Sequence, residues 1–146
     1  MGTTESDTMM VLLVEDEYMI ATLVEAELRE AGFGVIYVVN GAEAQTAMMS
    51  CPNWDALVLD INLPGRISGW DVARIARTHC PNVAVVYASG HGELEWLSQG
   101  VPDSVIITKP YAPRQVVAAL RELIGTRSGN DSALNATPVT PNSYGG

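Results

Sequence analysis

Five short apolar runs, each followed by a segment with helical spacing, limit the possible folds of this chain. The runs are rich in β-branched residues and occupy residues 9–14, 35–39, 56–59, 83–87 and 105–107. A short apolar run bounded by turn formers is typical of a strand that is buried on both faces of a parallel sheet. Strict alternation of strand and helix implies parallel strands joined by right-handed crossovers, with helices on both faces. The sequence therefore predicts a five-stranded, doubly wound α/β fold.

The segments between the runs carry the residues that begin and end helices. Asn40 can cap the second helix, and Glu43 stands three residues later, in the capping-box position. A short helix is predicted at residues 93–99. Pro113 can open the last helix because its missing N–H costs nothing there, and we expect Gly125 to close it.

The apolar pattern covers residues 9–125, which is enough chain for one domain with a full core. Residues 1–8 are mostly polar, and residues 126–146 are rich in Ser, Asn, Thr, Pro and Gly. Such segments cannot bury enough apolar surface to offset the entropy lost on ordering. We therefore predict a single domain at 9–125, between a disordered N-terminus at 1–8 and a disordered tail at 126–146.

The charge balance excludes some classes of partner. The net charge is −9, from 8 basic and 17 acidic residues, and a nucleic-acid surface needs clustered Lys and Arg to neutralise phosphates. No apolar run approaches the roughly 18 residues of a membrane span, and the N-terminus lacks the basic region of a signal peptide. We expect a protein that is cytoplasmic if bacterial, with protein or cation partners and no contact with nucleic acid or membrane.

The two cysteines, Cys51 and Cys80, each precede a proline. In an acidic domain of cytosolic type, free thiols are expected rather than a disulfide. His79 and His91 do not stand at a recognisable ligand spacing from Cys80, so no metal site is expected there.

Several polar side chains follow the ends of the predicted strands. Glu15 and Asp16 follow the first strand, Asp60 ends the third, Ser89 follows the fourth and Lys109 follows the fifth. A lone Asp at such a place is most often a turn former. In the strand order 2-1-3-4-5, however, strands one and three are neighbours at the switch point, and these side chains meet at one edge.

Three carboxylates at one edge repel each other. Two unit charges about 4 Å apart repel by about 4 kcal/mol at an effective dielectric constant of about 20. Mg²⁺ would relieve this repulsion, since it suits a site that offers one or two carboxylates, waters and a phosphoryl oxygen. A carboxylate such as Asp60 can also accept a phosphoryl group as a nucleophile.

The motifs together resemble the receiver domain of bacterial response regulators. The resemblance covers about residues 9–125 and rests on Glu15-Asp16, Asp60 in VLDINLPG, Ser89 in YASGH and Lys109 in TKPY. It implies a flavodoxin-like (βα)5 fold in a stand-alone receiver, as a monomer or weak dimer. It also implies that Asp60 accepts a phosphoryl group from a histidine kinase or a histidine phosphotransfer protein. By the same resemblance, Ser89 and Lys109 contact the phosphoryl oxygens.

The resemblance also implies a Mg²⁺ site. Asp16 and Asp60 would bind the ion directly, Glu15 through water, and Asn62 through its main-chain carbonyl. The chain would then catalyse only its own phosphorylation and dephosphorylation, and would not be an enzyme in the usual sense.

The chain departs from the receiver pattern at the position three residues before the lysine, where receivers usually carry a Tyr or Phe that rotates. Here that residue is Ile106, and an aromatic, Tyr87, stands instead two residues before the hydroxyl residue. The signal must then leave by another route. Because Gly90 and Gly92 give backbone freedom after the hydroxyl residue, we expect the surface at residues 91–99, with Trp96 on it, to change on phosphorylation.

Two other functions remain open on the sequence. A phosphatase of the haloacid dehalogenase type also uses an Asp after a strand, but it needs a second Asp two residues later, where this chain has Asn62. A pseudo-receiver would act as an adaptor without phosphorylation. The complete set of acids, hydroxyl and lysine argues against that reading.

Overall fold

The computed structural model describes residues 8–51 and 53–133. The strands are β1 (Met10–Val14), β2 (Gly34–Val38), β3 (Ala56–Asp60), β4 (Ala84–Ser89) and β5 (Ser104–Thr108). The helices are α1 (Tyr18–Glu30), α2 (Gly41–Ser50), α3 (Gly69–His79), α4 (Glu93–Gln99) and α5 (Pro113–Ala133). The predicted alternation of strand and helix is confirmed.

The sheet is parallel and its strand order is β2-β1-β3-β4-β5, as predicted. β1 pairs with both β2 and β3, so the direction of chain winding reverses beside β1. At the carboxyl edge Asp60 lies opposite Ala88, and Ser89 lies opposite Thr108. The register therefore brings the functional ends of β3, β4 and β5 to one edge.

Each face of the sheet has its own apolar core, because alternate strand residues point to opposite faces. Leu12 and Leu57 belong to the cluster under α2, α3 and α4, and their neighbours Val11 and Val58 belong to the cluster under α1 and α5. All four side chains are at least 98% buried. Burial of each such side chain stabilises the fold by about 1.5–3 kcal/mol.

Side-chain caps fix the starts of two helices. The Asn40 carboxamide oxygen accepts a hydrogen bond from the Glu43 N–H at 2.8 Å, as the sequence predicts. At the start of α3 the Ser68 hydroxyl accepts from the Asp71 N–H at 3.2 Å, and the Asp71 carboxylate accepts from the Ser68 N–H at 3.1 Å. Each cap of this kind contributes about 1 kcal/mol and sets the direction in which the helix leaves the site.

The predicted end of the last helix is wrong. α5 continues through Gly125 to Ala133, so residues 126–133 of the predicted tail are helical. Gly125 costs a helix only about 1 kcal/mol relative to Ala, and adding a residue to an existing helix is far easier than starting one. The predicted disorder of residues 1–7 and 134–146 lies outside the described residues.

The predicted placement of Trp96 on the protein surface is also wrong. Trp96 is only 9% exposed, and its indole N–H donates a hydrogen bond to the Ser104 hydroxyl at 2.9 Å. The residues that α4 exposes are Leu94 and Leu97, at 82% and 72%. A helix of seven residues has too few turns for the sequence to show which face is buried.

Two further features concern the environment of the chain. Cys51 and Cys80 are both free thiols, as predicted. None of the helices within the described residues has the length and apolar character needed to cross a membrane.

Candidate functional site

Three carboxylates meet at the carboxyl edge of the sheet. One oxygen from each of Glu15, Asp16 and Asp60 can be chosen so that all three lie within 4.8 Å of one another. Glu15 and Asp16 follow β1 directly, and Asp60 is the last residue of β3, the strand that pairs with β1. The predicted convergence of these acids is confirmed in the geometry.

Glu15 is held in place at both its main chain and its side chain. Its N–H donates to the Val38 carbonyl at 3.1 Å, and its carboxylate accepts from the Glu17 N–H at 3.0 Å. The residue is only 2% exposed. Burial raises the pKa of Glu15 to about 7; the hydrogen bond from Glu17 opposes this rise, and the charge of Asp60 adds to it. A buried, crowded carboxylate of this kind gains from a nearby cation.

Asp60 is 5% exposed, and both its carboxylate oxygens accept hydrogen bonds. One oxygen accepts from the Asn62 N–H at 2.9 Å, and the other accepts from the Lys109 ammonium at 2.8 Å. These bonds fix the carboxylate at the mouth of the site. Asn62 itself is exposed on the loop after β3.

Lys109 is the single lysine of the chain and pairs with three carboxylates. Its Nζ lies 2.8 Å from Asp60, 3.6 Å from Glu17 and 3.7 Å from Glu15. Burial lowers the pKa of Lys109, but the hydrogen bond and charge of Asp60, with the charges of Glu15 and Glu17, outweigh this and raise the pKa to about 12. The Lys109 N–H donates to the Ser89 carbonyl at 2.8 Å, which links the ends of β4 and β5.

Ser89 is 4% exposed, and its hydroxyl accepts from the His91 N–H at 3.2 Å. Gly92 packs against it. A Cβ atom on Gly92 would lie 2.9 Å from the Ser89 hydroxyl oxygen and 2.9 Å from the Ile61 side chain. Position 92 therefore needs a glycine at least as much for the close approach of α4 to the Ser89 side chain as for backbone freedom.

The residues present fit a divalent cation. Three carboxylates with oxygens this close, one of them buried with a raised pKa, form a donor set for a hard oxygen-seeking ion. Asp16 is exposed and leaves a route for the ion from solvent.

Two residues at the site were not predicted from the sequence. Glu17 pairs with Lys109 and donates its N–H to the Glu15 carboxylate. Its position directly after Glu15-Asp16 could have indicated that it belongs to the site. The Tyr37 hydroxyl donates to the Glu15 carbonyl at 2.8 Å. Only the β1–β2 register reveals that second contact.

An apolar groove of about 360 Å³ opens beside Lys109. Its lining residues come from α1 and from the segment that joins β5 to α5, and they are Ile20, Leu23, Val24, Lys109, Pro110, Tyr111 and Pro113. Tyr18, Met19 and Leu23 of α1 are 71%, 76% and 60% exposed. The site therefore has an apolar surface next to it that remains open to solvent.

Comparisons with known proteins agree with this geometry. The sequence profile of the response regulator receiver domain matches residues 11–121. The crystal structure of a response regulator receiver protein from Sinorhizobium medicae is 40% identical, with a TM-score of 0.80, and the match covers 84% of this chain and 98% of that one.

Curated relatives include the transcriptional regulatory protein QseB of Haemophilus influenzae, which is 31% identical over 83% of this chain and 55% of that protein. The sensory transduction protein RegX3 of Mycolicibacterium smegmatis is 33% identical over 88% of this chain and 59% of that protein. The chain thus spans little more than half the length of the curated relatives it matches.

Proposed function

This chain belongs to the response regulator receiver domain family, and on that premise we propose that Asp60 is its phospho-acceptor in two-component signal transduction. The phosphoryl group would come from a histidine kinase or a histidine phosphotransfer protein. The phosphorylated domain would then signal through a protein-protein surface. As the curated relatives are longer proteins, their output activities do not transfer to this chain.

The observation that carries the proposal is the pairing of Asp60 with Lys109 inside a cluster of acids. In the transfer, an Asp60 oxygen forms a bond to phosphorus as the P–N bond of phosphohistidine breaks. Negative charge on the transferring group would be stabilised by the Lys109 ammonium, which is already held beside the Asp60 carboxylate. The Ser89 hydroxyl can donate to a phosphoryl oxygen from the end of β4.

The proposed Mg²⁺ ligands are Asp16 and Asp60 directly, Glu15 through water and the Asn62 main-chain carbonyl. When bound, Mg²⁺ supplies positive charge to the phosphoryl oxygens. The crowding of Glu15 against Asp60 supports this assignment, because a cation relieves repulsion that the protein alone leaves in place.

We place the phosphodonor over the apolar groove beside Lys109. The groove includes Leu23, which is 60% exposed, and it ends at Lys109, the partner of Asp60. A protein that carries phosphohistidine could therefore bury apolar contacts while its imidazole reaches the carboxylate. A few well-packed residues usually contribute most of the binding free energy at an interface, and Tyr111 in the groove is of a residue type that is enriched among them.

The test is labelling by acetyl phosphate, a small phosphodonor that needs no docking surface. We expect the wild-type protein to gain one phosphoryl group in the presence of Mg²⁺ and none in the presence of a chelator, measured by intact-protein mass spectrometry. Asp60→Asn should gain none. Asp55→Asn is the matched control, because Asp55 stands at the other end of β3 and binds the Met10 N–H.

Labelling of Asp60→Asn at the wild-type rate would refute the choice of acceptor. A folded wild-type protein that stays unlabelled with Mg²⁺ would favour an adaptor that works without phosphorylation. Continuous hydrolysis of phosphate esters would instead favour a phosphatase.

A further inference from the structure

Tyr37 is not part of the acid cluster, but its side chain contacts the loop that carries Glu15 and Asp16. Tyr37 lies on β2, opposite Leu13 of β1, and its hydroxyl donates to the main-chain carbonyl of Glu15 at 2.8 Å. The residue is half-buried on the edge strand. The contact lies at the point where β1 ends and the acidic loop begins.

The hydroxyl fixes the peptide unit between Glu15 and Asp16. The peptide bond is planar, so a bond that fixes the carbonyl of one residue also fixes the N–H of the next. The Glu15 N–H is already bound to the Val38 carbonyl through the sheet, an interaction that needs no particular side chain. The bond to the Glu15 carbonyl, by contrast, needs a side chain with a hydroxyl at position 37.

The carboxylates of Glu15 and Asp16 differ in how many other groups hold them. The Glu15 carboxylate is held by the Glu17 N–H and lies 3.7 Å from the Lys109 ammonium. Asp16 is exposed, and no hydrogen bond to its carboxylate is found within the described part of the chain. The direction in which Asp16 points is therefore set by its backbone, and that backbone is held by Tyr37.

We propose that Tyr37 is a positioning residue for the Mg²⁺ site, whose hydroxyl fixes the Glu15–Asp16 peptide and aims Asp16 at the ion. The proposal rests on the function proposed above, in which Asp16 is a direct ligand. It assigns Tyr37 no contact with the ion or with the phosphoryl group. Burial raises the pKa of Tyr37, and the charges of Glu15 and Asp16 add to the rise, so the hydroxyl keeps the proton that it donates.

The test compares Tyr37→Phe, which removes only the hydroxyl, with Tyr18→Phe as the matched control. Tyr18 is the first residue of α1, the helix that precedes β2, and it is 71% exposed. Titration with Mg²⁺, followed by amide resonances, should show that Tyr37→Phe binds the ion about three- to tenfold more weakly, the usual cost of losing one supporting hydrogen bond. Tyr18→Phe should bind it as the wild-type protein does.

Two further readouts separate positioning from general damage. At saturating Mg²⁺, the rate of labelling by acetyl phosphate should be the same in Tyr37→Phe and wild type within about twofold, because only occupancy is altered. Without Mg²⁺, amide exchange at Asp16 and Glu17 should be faster in Tyr37→Phe, while exchange in β3 and β4 stays unchanged.

Equal Mg²⁺ affinity of Tyr37→Phe and wild type would overturn the inference and leave the proposed function standing. A lower maximal rate of Tyr37→Phe at saturating Mg²⁺, with faster exchange throughout the sheet, would also overturn it in favour of a structural role. Failure of the wild-type protein to bind Mg²⁺ would overturn the proposed function together with the inference.

Discussion

Helices α1 and α4 flank the acidic site on opposite faces of the sheet, and both expose leucines, but they are attached to the protein differently. α1 has thirteen residues and buries Ala21, Val24 and Leu28. α4 has seven residues, of which only Trp96 is buried, and exposes Leu94 and Leu97. The longer helix is a fixed surface beside Asp60, whereas the shorter one has little core of its own.

The two ends of α4 also differ from each other. At its start, the exposed Glu93 carboxylate accepts from the Thr108 hydroxyl at 2.7 Å, and Gly92 touches the serine of the site. Beyond its end, the fully buried Tyr87 hydroxyl accepts from the Val101 N–H at 3.1 Å. Buried hydrogen bonds resist breaking more than exposed ones. We therefore expect α4 to respond to phosphorylation by moving at its first turn, on the face opposite the one proposed for the phosphodonor.

The largest expected effect on phosphoryl transfer separates the two leucine surfaces. Leu23→Asp should slow phosphoryl transfer by about tenfold from a histidine kinase that phosphorylates the wild-type protein, because a charge would enter the apolar groove. Leu94→Asp should leave that rate unchanged. Labelling by acetyl phosphate should be equal in both variants. Both side chains are exposed, so neither substitution should unfold the protein.

Equal kinase transfer to Leu23→Asp and wild type would contradict the placement of the phosphodonor on α1. Loss of transfer only in Leu94→Asp would reverse the roles of the two helices.

A second prediction concerns the contact between Ser89 and the start of α4. Gly92→Ala should destabilise the protein by about 1–3 kcal/mol, the usual cost of overpacking, because its Cβ would lie 2.9 Å from the Ser89 hydroxyl oxygen. Gly90→Ala is the matched control, because a Cβ there meets nothing within 4 Å. Urea unfolding of both variants measures the difference, and equal stabilities would mean that α4 does not rest on Ser89.

Much of this arrangement could be predicted from the sequence, because strand ends in a parallel sheet share one edge. That rule was enough to bring Asp60 and Lys109 together. Tyr37 was missed because its role depends on strand register and on the reach of one hydroxyl, which sequence patterns do not carry. Trp96 was misplaced because a short helix shows no clear period, and the end of α5 was misplaced because Gly125 was given the role of a helix stop.

A third prediction concerns pH and the acids beside α1. The pKa of Glu15 is raised from its ordinary value of 4.5 to about 7, mainly by burial. Between these values the folded protein keeps a proton that the unfolded chain has released, so the free energy of unfolding falls as pH rises through this window and levels off above it. Without Mg²⁺ the fall should be at most about 3 kcal/mol, because the shift runs from 4.5 to about 7 and one pKa unit corresponds to about 1.4 kcal/mol.

Urea unfolding across this pH window, with a chelator present, measures the slope. Glu15→Gln should flatten it, and Asp16→Asn, which changes an exposed acid, should keep most of it. A stability that rises with pH in the wild-type protein would show that Glu15 is ionised and satisfied without a cation.

The smallest expected effect is the change in α4 itself when the site is phosphorylated. With Mg²⁺ and a phosphoryl mimic, we expect the Ser89 hydroxyl to be drawn toward the new oxygens and Gly92 to shift with it, because the space between them is too small even for a Cβ atom. Ile106 has no ring to rotate and is 6% exposed, so we expect the signal to leave the site through the start of α4. Amide exchange in the first turn of α4 should change by about a factor of three, or about 0.6 kcal/mol in local stability. The Val101 amide should change less, because the Tyr87 hydroxyl holds it. A response confined to residues 61–69, with α4 unaltered from end to end, would mean that the signal leaves through the loop between β3 and α3 and that α4 has no part in it.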